Sequence, residues 1–339
     1  MTSANRDEKN DSVLVSVIIP TYLREQHLCA TIADVLAQEY EPFELIVVDQ
    51  SPNHSLETGE YLRSLQQTQQ VKWYQVDWAN VAAARNYGVR RAKGMIAVFI
   101  DDDVQLPKKF LKAHVDAHLS SSNIGCVAGR VLTPNSQLRN QSEIDYFGPE
   151  AMDPAVGWYN LNFESGTRPQ NVLSARGCNM SIPRELFSEQ RMFFDERFGD
   201  GKALREESDL CLRIAKTGLV IRYFPAAVLT HLEAKSGGCH QLHTRTFRYQ
   251  IAHYRNDFLL ALKNLTPSQM LRFARHIFNC QVRGLPPCNK SGAAHLVLGR
   301  LIFYVLGFAS ACLVLFQGIW DDGQKLTRLD TGGEDGHSC

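Results

Sequence analysis

The sequence predicts an α/β protein: an open, Rossmann-like sheet flanked by helices, followed by a helical C-terminal region. In the first hundred residues, short β-branched runs alternate with segments of helical period, as in βαβ units. Two of those runs end in acids, Asp49 and Asp101-Asp102-Asp103. Beyond residue 231 the strand pattern stops, and a basic stretch leads into an uncharged apolar run at 301–320.

The elements follow in order. Val13–Pro20 is a β-branched strand closed by Pro20, and Leu28, Ile32, Val35 and Leu36 then repeat at helical spacing. Phe43–Val48 is a second strand, closed by Asp49 and the turn-like Ser51-Pro52-Asn53. A polar helix at 57–69, a strand Val71–Val76 and a helix capped by Asn80 and ending near Ala92 come next. The strand Met95–Ile100 then runs into the three aspartates. A strand over Cys126–Leu132 opens a long polar stretch, 133–170, through which Tyr146, Phe147, Trp158, Tyr159 and Phe163 are dispersed. Such a length predicts a binding loop or lid rather than a connector. A helix is expected to start at Pro183 and another at Arg205–Arg213, and the strand Val220–Phe224 leads through Pro225 to His231. This divides the chain into disordered tails at 1–12 and 321–339, paired halves of one domain at 13–125 and 126–232, and a C-terminal region at 233–320.

Composition removes several classes. With 36 basic and 36 acidic residues among 339, nothing global points to nucleic acid. The nine cysteines are scattered and contain no Cys-x-x-Cys, which suits a reducing cytosol better than a disulfide framework or structural zinc. Met1–Ser12 lacks the apolar core of a secretory signal, so the N-terminal region is expected in the cytosol. No Gly-x-Gly-x-x-Gly follows the first strand.

Three adjacent carboxylates repel one another and need water, a cation or basic partners. In open α/β sheets ligands bind beyond the carboxyl ends of the strands, the rim on which both Asp49 and Asp101–Asp103 fall. Alone, Asp49 reads equally as a turn residue. Arg85 lies near the packed face set by Val81, Ala84, Gly88 and Ala92, either snorkelling or facing an anion. Glu206 and Glu207 suit the first turn of a helix by its dipole alone. His231 fits a capping role as well as a metal site, and Cys239, His240 and His243 match no zinc spacing and read as a solvated loop.

Together these segments resemble the family-2 glycosyltransferases of GT-A fold, of a non-processive, bacterial type. The resemblance runs through Val17–Tyr22, Val47–Ser51, Ala84–Gly88, Phe99–Asp103, Gly177–Asn179, Phe194–Glu196, Glu206–Leu210 and His231, over 13–232. It implies a nucleotide-sugar-binding half at 13–125 and an acceptor-binding half at 126–232. It further implies inverting transfer of one sugar from a nucleotide-diphospho-sugar to a hydroxyl acceptor, with Mn2+ or Mg2+ stabilising the diphosphate leaving group. By resemblance the donor side comprises Pro20, Asp49, Arg85, Asp101 and Asp102, with Asp49 toward the base and Arg85 near the pyrophosphate. Asp103, with Asp101 and His231, would hold the metal. Asp102 should point to the other face of the extended segment and be replaceable. Glu207 takes the family's base position, with Glu206 the runner-up, in a Glu-Glu pair where the family usually has Glu-Asp. Competing readings are a sugar nucleotidyltransferase, for which Pro20–Arg24 lacks the glycine-rich loop, and a non-catalytic glycan-binding or membrane-tethering member.

Residues 231–300 carry ten Lys/Arg against Glu233 and Asp257. Thr266-Pro267-Ser268-Gln269 predicts a capped helix whose apolar face is Met270, Leu271, Ala274, Ile277, Phe278 and Val282. It either packs on the domain or lies on an anionic membrane. The run 301–320 has the length of a bilayer core and is read as spanning, interfacial or a buried hairpin. The acceptor is therefore expected to be a glycan or lipid-linked intermediate, and the catalytic domain to sit at the inner face of the cytoplasmic membrane.

Overall fold

The computed structural model describes residues 13–134, 152–156, 163–164, 166–199, 204–238, 247–285 and 294–330. The expected tail at 1–12, most of the stretch 133–170 with Tyr146, Phe147, Trp158 and Tyr159, and Cys239, His240 and His243 lie outside them.

The predicted α/β class is the one observed. Among the described residues nine strands form one mixed sheet: β1 (Val15–Thr21), β2 (Phe43–Asp49), β3 (Lys72–Gln75), β4 (Ile96–Ile100), β5 (Val104–Gln105), β6 (Ile124–Leu132), β7 (Gln170–Val172), β8 (Asn179–Pro183) and β9 (Val220–His231). Their order is β3-β2-β1-β4-β8-β6-β9-β5, with β7 also on β9. The first four are mutually parallel, as the alternation predicts. Every residue of β1 and β4 is buried, which explains why they read as continuous apolar runs rather than alternating ones. Pro20 is tolerated inside the sheet because pairing of β1 with β4 ends at Ile18, so a missing N–H there breaks no ladder.

Helices α1 (Gln26–Leu36), α2 (Leu56–Gln67) and α3 (Val81–Val89) connect these strands. The Asn80 side chain accepts the N–H of Ala83, the cap expected from sequence. Gly88 brings α3 against the sheet, since a Cβ there would stand 2.6 Å from Ile18.

Among the elements that escape the sequence reading are β8 and α4 (Phe110–Leu119). β8 is bounded by Asn and Pro, so it resembles a turn, yet it lies between β4 and β6 and is antiparallel to both. Pro183 accordingly ends a strand; the short helix α5 (Glu185–Ser188) starts after Arg184. The helix α4 buries His114, and partly His118, among the apolar Phe110, Leu111, Val115 and Ala117. His114 contacts the Ser181 hydroxyl at 2.8 Å and the Asn179 Oδ1 at 3.0 Å, and His118 contacts Ser181 at 2.9 Å.

Burial pushes the His114 pKa down to about 3 and that of His118 down to about 4. An imidazole kept neutral in the fold protonates first in the unfolded chain, so its stabilisation is complete above about pH 6.5 and fades as pH falls toward 4. Asp102, whose pKa is raised, acts in the opposite sense over part of this window. The parent and His118→Gln are therefore compared by urea unfolding at pH 7 and pH 5. The parent should lose more stability between the two.

The chain forms two compact units, one of Met1–Asp153, Gly157–Glu196 and Glu206–Gln241, the other of Pro154–Val156, Arg197–Arg205 and Leu242–Cys339. The halves 13–125 and 126–232 share the first unit's sheet, apart from short excursions at 154–156 and 197–205. The second unit begins its C-terminal part at 242 rather than 233. It contains α7 (Phe247–Asn264), α8 (Pro267–Ile277), a π-helical turn at Phe278–Val282, and α9 (Ala294–Asp330).

The capping box on α8 is present: Thr266 accepts from the Gln269 N–H, and the Gln269 side chain accepts from the Thr266 N–H at 2.9 Å. Its buried face is centred on Phe273 and Ile277, whereas Leu271, expected on that face, is 74% exposed. The two buried positions are four apart, and Leu271 projects elsewhere on the helix. α7 gave no apolar period because Arg255, Asn256 and Asp257 are buried within it. α9 is one continuous helix, so the hairpin alternative is not realised. It also runs past 320 to Asp330, into sequence expected to be a disordered tail, because no Pro interrupts it there.

Candidate functional site

The candidate residues collect in the first unit, at the carboxyl ends of β1, β2 and β4 and the end of β9. Asp49 ends β2 in register with Thr21 at the end of β1. The chain leaves β4 at Ile100 and re-enters the sheet at Val104, which pairs with His231 of β9. That bend contains the three aspartates and sets Asp103 beside His231.

Asp101, Asp103 and His231 each offer one ligand atom, all within 4.8 Å of one another. The His231 Nε2 lies 3.2 Å from the Asp103 Oδ1 and 3.7 Å from the Asp101 Oδ2. Burial opposes charge on Asp103, but His231, Arg24 and the Ala234 N–H bring its pKa down to about 2. It is an anion at any working pH. Burial likewise opposes charge on His231, and the two aspartates with Glu233 raise its pKa nonetheless.

Asp102 is outside this cluster. Its Oδ2 accepts from the Thr21 hydroxyl at 2.6 Å, and its Oδ1 lies 3.4 Å from the Arg24 Nε. Burial, joined by its two neighbouring aspartates, pushes its pKa up to about 7 against Arg24 and Thr21. Two expectations therefore change. Asp102 is 5% exposed and held by the strand end, so it is neither a donor-facing group nor a replaceable one. Replacing it would strip a buried hydroxyl and a buried guanidinium of a partner.

Asp49 is also more enclosed than the sequence suggested. It is fully buried, accepting from Trp73 Nε1 at 3.0 Å and the Ser51 N–H at 2.9 Å and lying 2.7 Å from His54 Nε2. His54 in turn lies 3.1 Å from Glu25. Trp73 and His54 were not singled out from sequence. Pro20 is buried in β1, opposite Val48.

Arg85 resolves the choice between snorkelling and an anionic partner. It is 3% exposed, with Nη1 2.9 Å from Glu206 and Nη2 3.2 Å from Asp101. Burial would lower its pKa, but Glu206, Asp101 and Glu207 raise it above the usual guanidinium value. The Glu-Glu pair is thus divided. Glu206 is buried against Arg85, and Glu207 is half-buried in the first turn of α6 (Glu206–Ala215). Arg24 is the principal residue missed: it pairs with both Asp102 and Asp103. A lone arginine just past β1, on the rim that carries three aspartates, was the available signal.

A family model, Glycosyl transferase family 2, matches residues 16–189, over half of the chain. The chain belongs to glycosyl transferase family 2. Across 223 residues, 64% of the chain, it is 27% identical to a glucosyl-dolichyl phosphate glucuronosyltransferase of Haloferax volcanii, of which it covers 68%. Across 103 residues, 29% of the chain, it is 35% identical to a UDP-Glc:alpha-D-GlcNAc-diphosphoundecaprenol beta-1,3-glucosyltransferase of Escherichia coli, covering 39% of it. The chain spans well under half the length of several other curated relatives it matches. Among solved structures, GalNAc-T7 with UDP, GalNAc and Mn2+ superposes with a TM-score of 0.59 at 14% identity, covering 91% of this chain and 58% of that one. That likeness concerns the fold, which is GT-A.

In this family-2 chain the short motifs acquire structural reasons. Asn86 donates to the Phe194 carbonyl and to Glu196, and accepts the Phe194 N–H, each at 2.9 Å, which ties Ala84–Gly88 to Phe194–Glu196. Asn179 donates to the Arg130 and Ala227 carbonyls, joining β8 to β6 and β9. Gly177 leaves room for Arg85, since a Cβ there would stand 2.5 Å from its Nη2. Gly177→Ala should therefore displace a paired guanidinium and cost about 1–3 kcal/mol in urea unfolding. An unchanged midpoint would mean that Arg85 yields freely.

Proposed function

We propose that the protein is an inverting, non-processive glycosyltransferase that moves one sugar from a nucleotide-diphospho-sugar to a hydroxyl acceptor. The observation that carries the reading is the convergence of Asp101, Asp103 and His231 within 4.8 Å at the strand ends, with Arg85, Glu206 and Glu207 adjoining them. Two carboxylates and an imidazole suit a hard divalent cation, Mn2+ or Mg2+, which keeps its remaining positions for phosphate and water. When bound, the cation would stabilise charge developing on the diphosphate leaving group.

The chain's own residues supply the rest. Arg85 contributes fixed positive charge at this rim and pairs with Glu206 beside it. Arg24 orients Asp103 from the side opposite His231. Glu207, half-buried at the start of α6, takes the proton of the attacking hydroxyl, the role it shares with the acid at the second position of the family's pair. Attack on the face opposite the leaving group inverts the anomeric carbon.

Relatives named for dolichyl phosphate and diphosphoundecaprenol substrates support a lipid-linked acceptor for this chain. Among the described residues one helix, Leu296–Gln317, is long and apolar enough to cross a membrane, which supports membrane association. Calorimetry with UDP, GDP and dTDP, with and without Mn2+, tests the core of the reading. At least one diphosphate should bind more tightly with the metal. Absence of binding under every condition would sink it.

A further inference from the structure

Within the second unit α9 is not an isolated helix. Gly307 and Ala311 are buried, and a Cβ on Gly307 would lie 2.9 Å from the backbone N of Arg255 in α7. Phe303 meets Phe247, and Tyr304 and Phe308 meet Phe258, along the same seam. The Tyr304 hydroxyl donates to the Ala274 carbonyl of α8 at 3.2 Å. The opposite side is bare. Leu298, Leu301, Ile302, Val305, Leu313 and Phe316 form a stripe at helical spacing and are all exposed. Only 11% of the apolar window is buried.

The partner helix is polar where the window is deepest. Gly307 lies at the middle of Leu296–Gln317, and beside it α7 buries Arg255, Asn256 and Asp257. Asp257 pairs with Arg205 at 2.8 Å, and Asn256 donates to the Phe198 and Leu204 carbonyls at 2.8 and 3.1 Å. If α9 crossed a bilayer, α7 and this irregular backbone would have to enter the hydrocarbon at mid-depth. Charged side chains and non-helical backbone are strongly disfavoured there. If α9 lies flat, the bare stripe enters the headgroup–acyl boundary and α7 stays on the water side.

Charge on the same unit agrees. Exposed Phe247, Leu271 and Leu285 stand next to or near the exposed arginines Arg248, Arg272, Arg275 and Arg283. Basic groups interleaved with exposed apolar ones fit an anionic lipid surface better than a protein partner of neutral chemistry.

We propose that α9 lies in the plane of an anionic lipid surface, anchored by its bare stripe and the neighbouring arginines, and does not cross it. This rests on the membrane association proposed above and not on the sugar chemistry. The test uses the full chain with vesicles of phosphatidylcholine and phosphatidylglycerol. Leu298→Trp, Val305→Trp and Phe316→Trp, which share one helix face, are each read against the parent by quenching from lipids brominated at defined depths. All three should be quenched alike and shallowly. Deeper quenching at Val305 than at both ends would mean a spanning helix and overturn the proposal, as would no quenching at any position.

Leu301→Glu with Val305→Glu should lower vesicle binding at least 10-fold while diphosphate binding stays unchanged. Vesicle binding that survives this change, or that is equal on pure phosphatidylcholine, would also overturn it. A protein that binds vesicles in this way and no diphosphate would leave the inference standing and remove the glycosyltransferase reading.

Discussion

Asp103→Asn should abolish the Mn2+-dependent part of nucleoside diphosphate binding, weakening it by at least about 100-fold. Changes merely beside a metal ligand cost 10–100-fold, and a ligand itself should cost no less. The substitution keeps the volume of a side chain that is 2% exposed, and it leaves an oxygen to accept from Ala234 or Arg24. Calorimetry with and without Mn2+ reads the effect, and thermal unfolding guards against a collapsed fold. A folded Asp103→Asn protein that retained the full Mn2+ enhancement would move the metal away from the β4–β5 bend. Asp102→Asn should behave differently: it sits outside the cluster, so its loss should appear in stability first.

The two glutamates should separate cleanly. Glu207→Gln should leave donor binding intact and lower kcat by about 100- to 10,000-fold, the range for a lost general base. Glu206→Gln removes the nearer of two carboxylates paired with an Arg85 that is 3% exposed; breaking a buried pair outright costs about 3–5 kcal/mol, and Asp101 keeps this loss at or below that range. It should therefore show first in urea unfolding. Comparing kcat with unfolding free energy for both variants discriminates the roles. An active Glu207→Gln and a stable but inactive Glu206→Gln would exchange them.

Much of the first half of the sheet was legible because its signals are local. β-branched runs, an Asn cap and acids at strand ends are written within a few residues, and β1 to β4 and α1 to α3 follow from them. The partners of those acids were not legible. Arg24 reaches Asp103, and Arg85 reaches Glu206, across 79 and 121 residues. Nothing in the spacing of a sequence encodes such meetings. β8 was hidden for another reason: its Asn179 and Ser181 are polar because they serve His114 and neighbouring backbone, so the strand carries no apolar run. α7 was masked likewise by its buried Arg255-Asn256-Asp257. Asp102 shows the limit of alternation as a guide. An extended segment puts its middle residue on the other face, but it does not say whether that face is solvent or core.

The position of β9 has a consequence for how the molecule is made. It is the last strand in sequence yet lies inside the sheet, between β6 and β5. β1 to β4 can pair as the chain emerges from the ribosome, but the edge of β4 must wait for β8, and Asp103 must wait for His231. At about 5–20 residues per second that delay is on the order of 10 s. Throughout it Asp101, Asp102 and Asp103 stand at an unpaired edge, and their mutual repulsion discourages that edge from pairing with another chain, as charged residues on exposed strands do. Asp101 and Asp103, which later line the site, would then act with Asp102, during synthesis, as gatekeepers against aggregation.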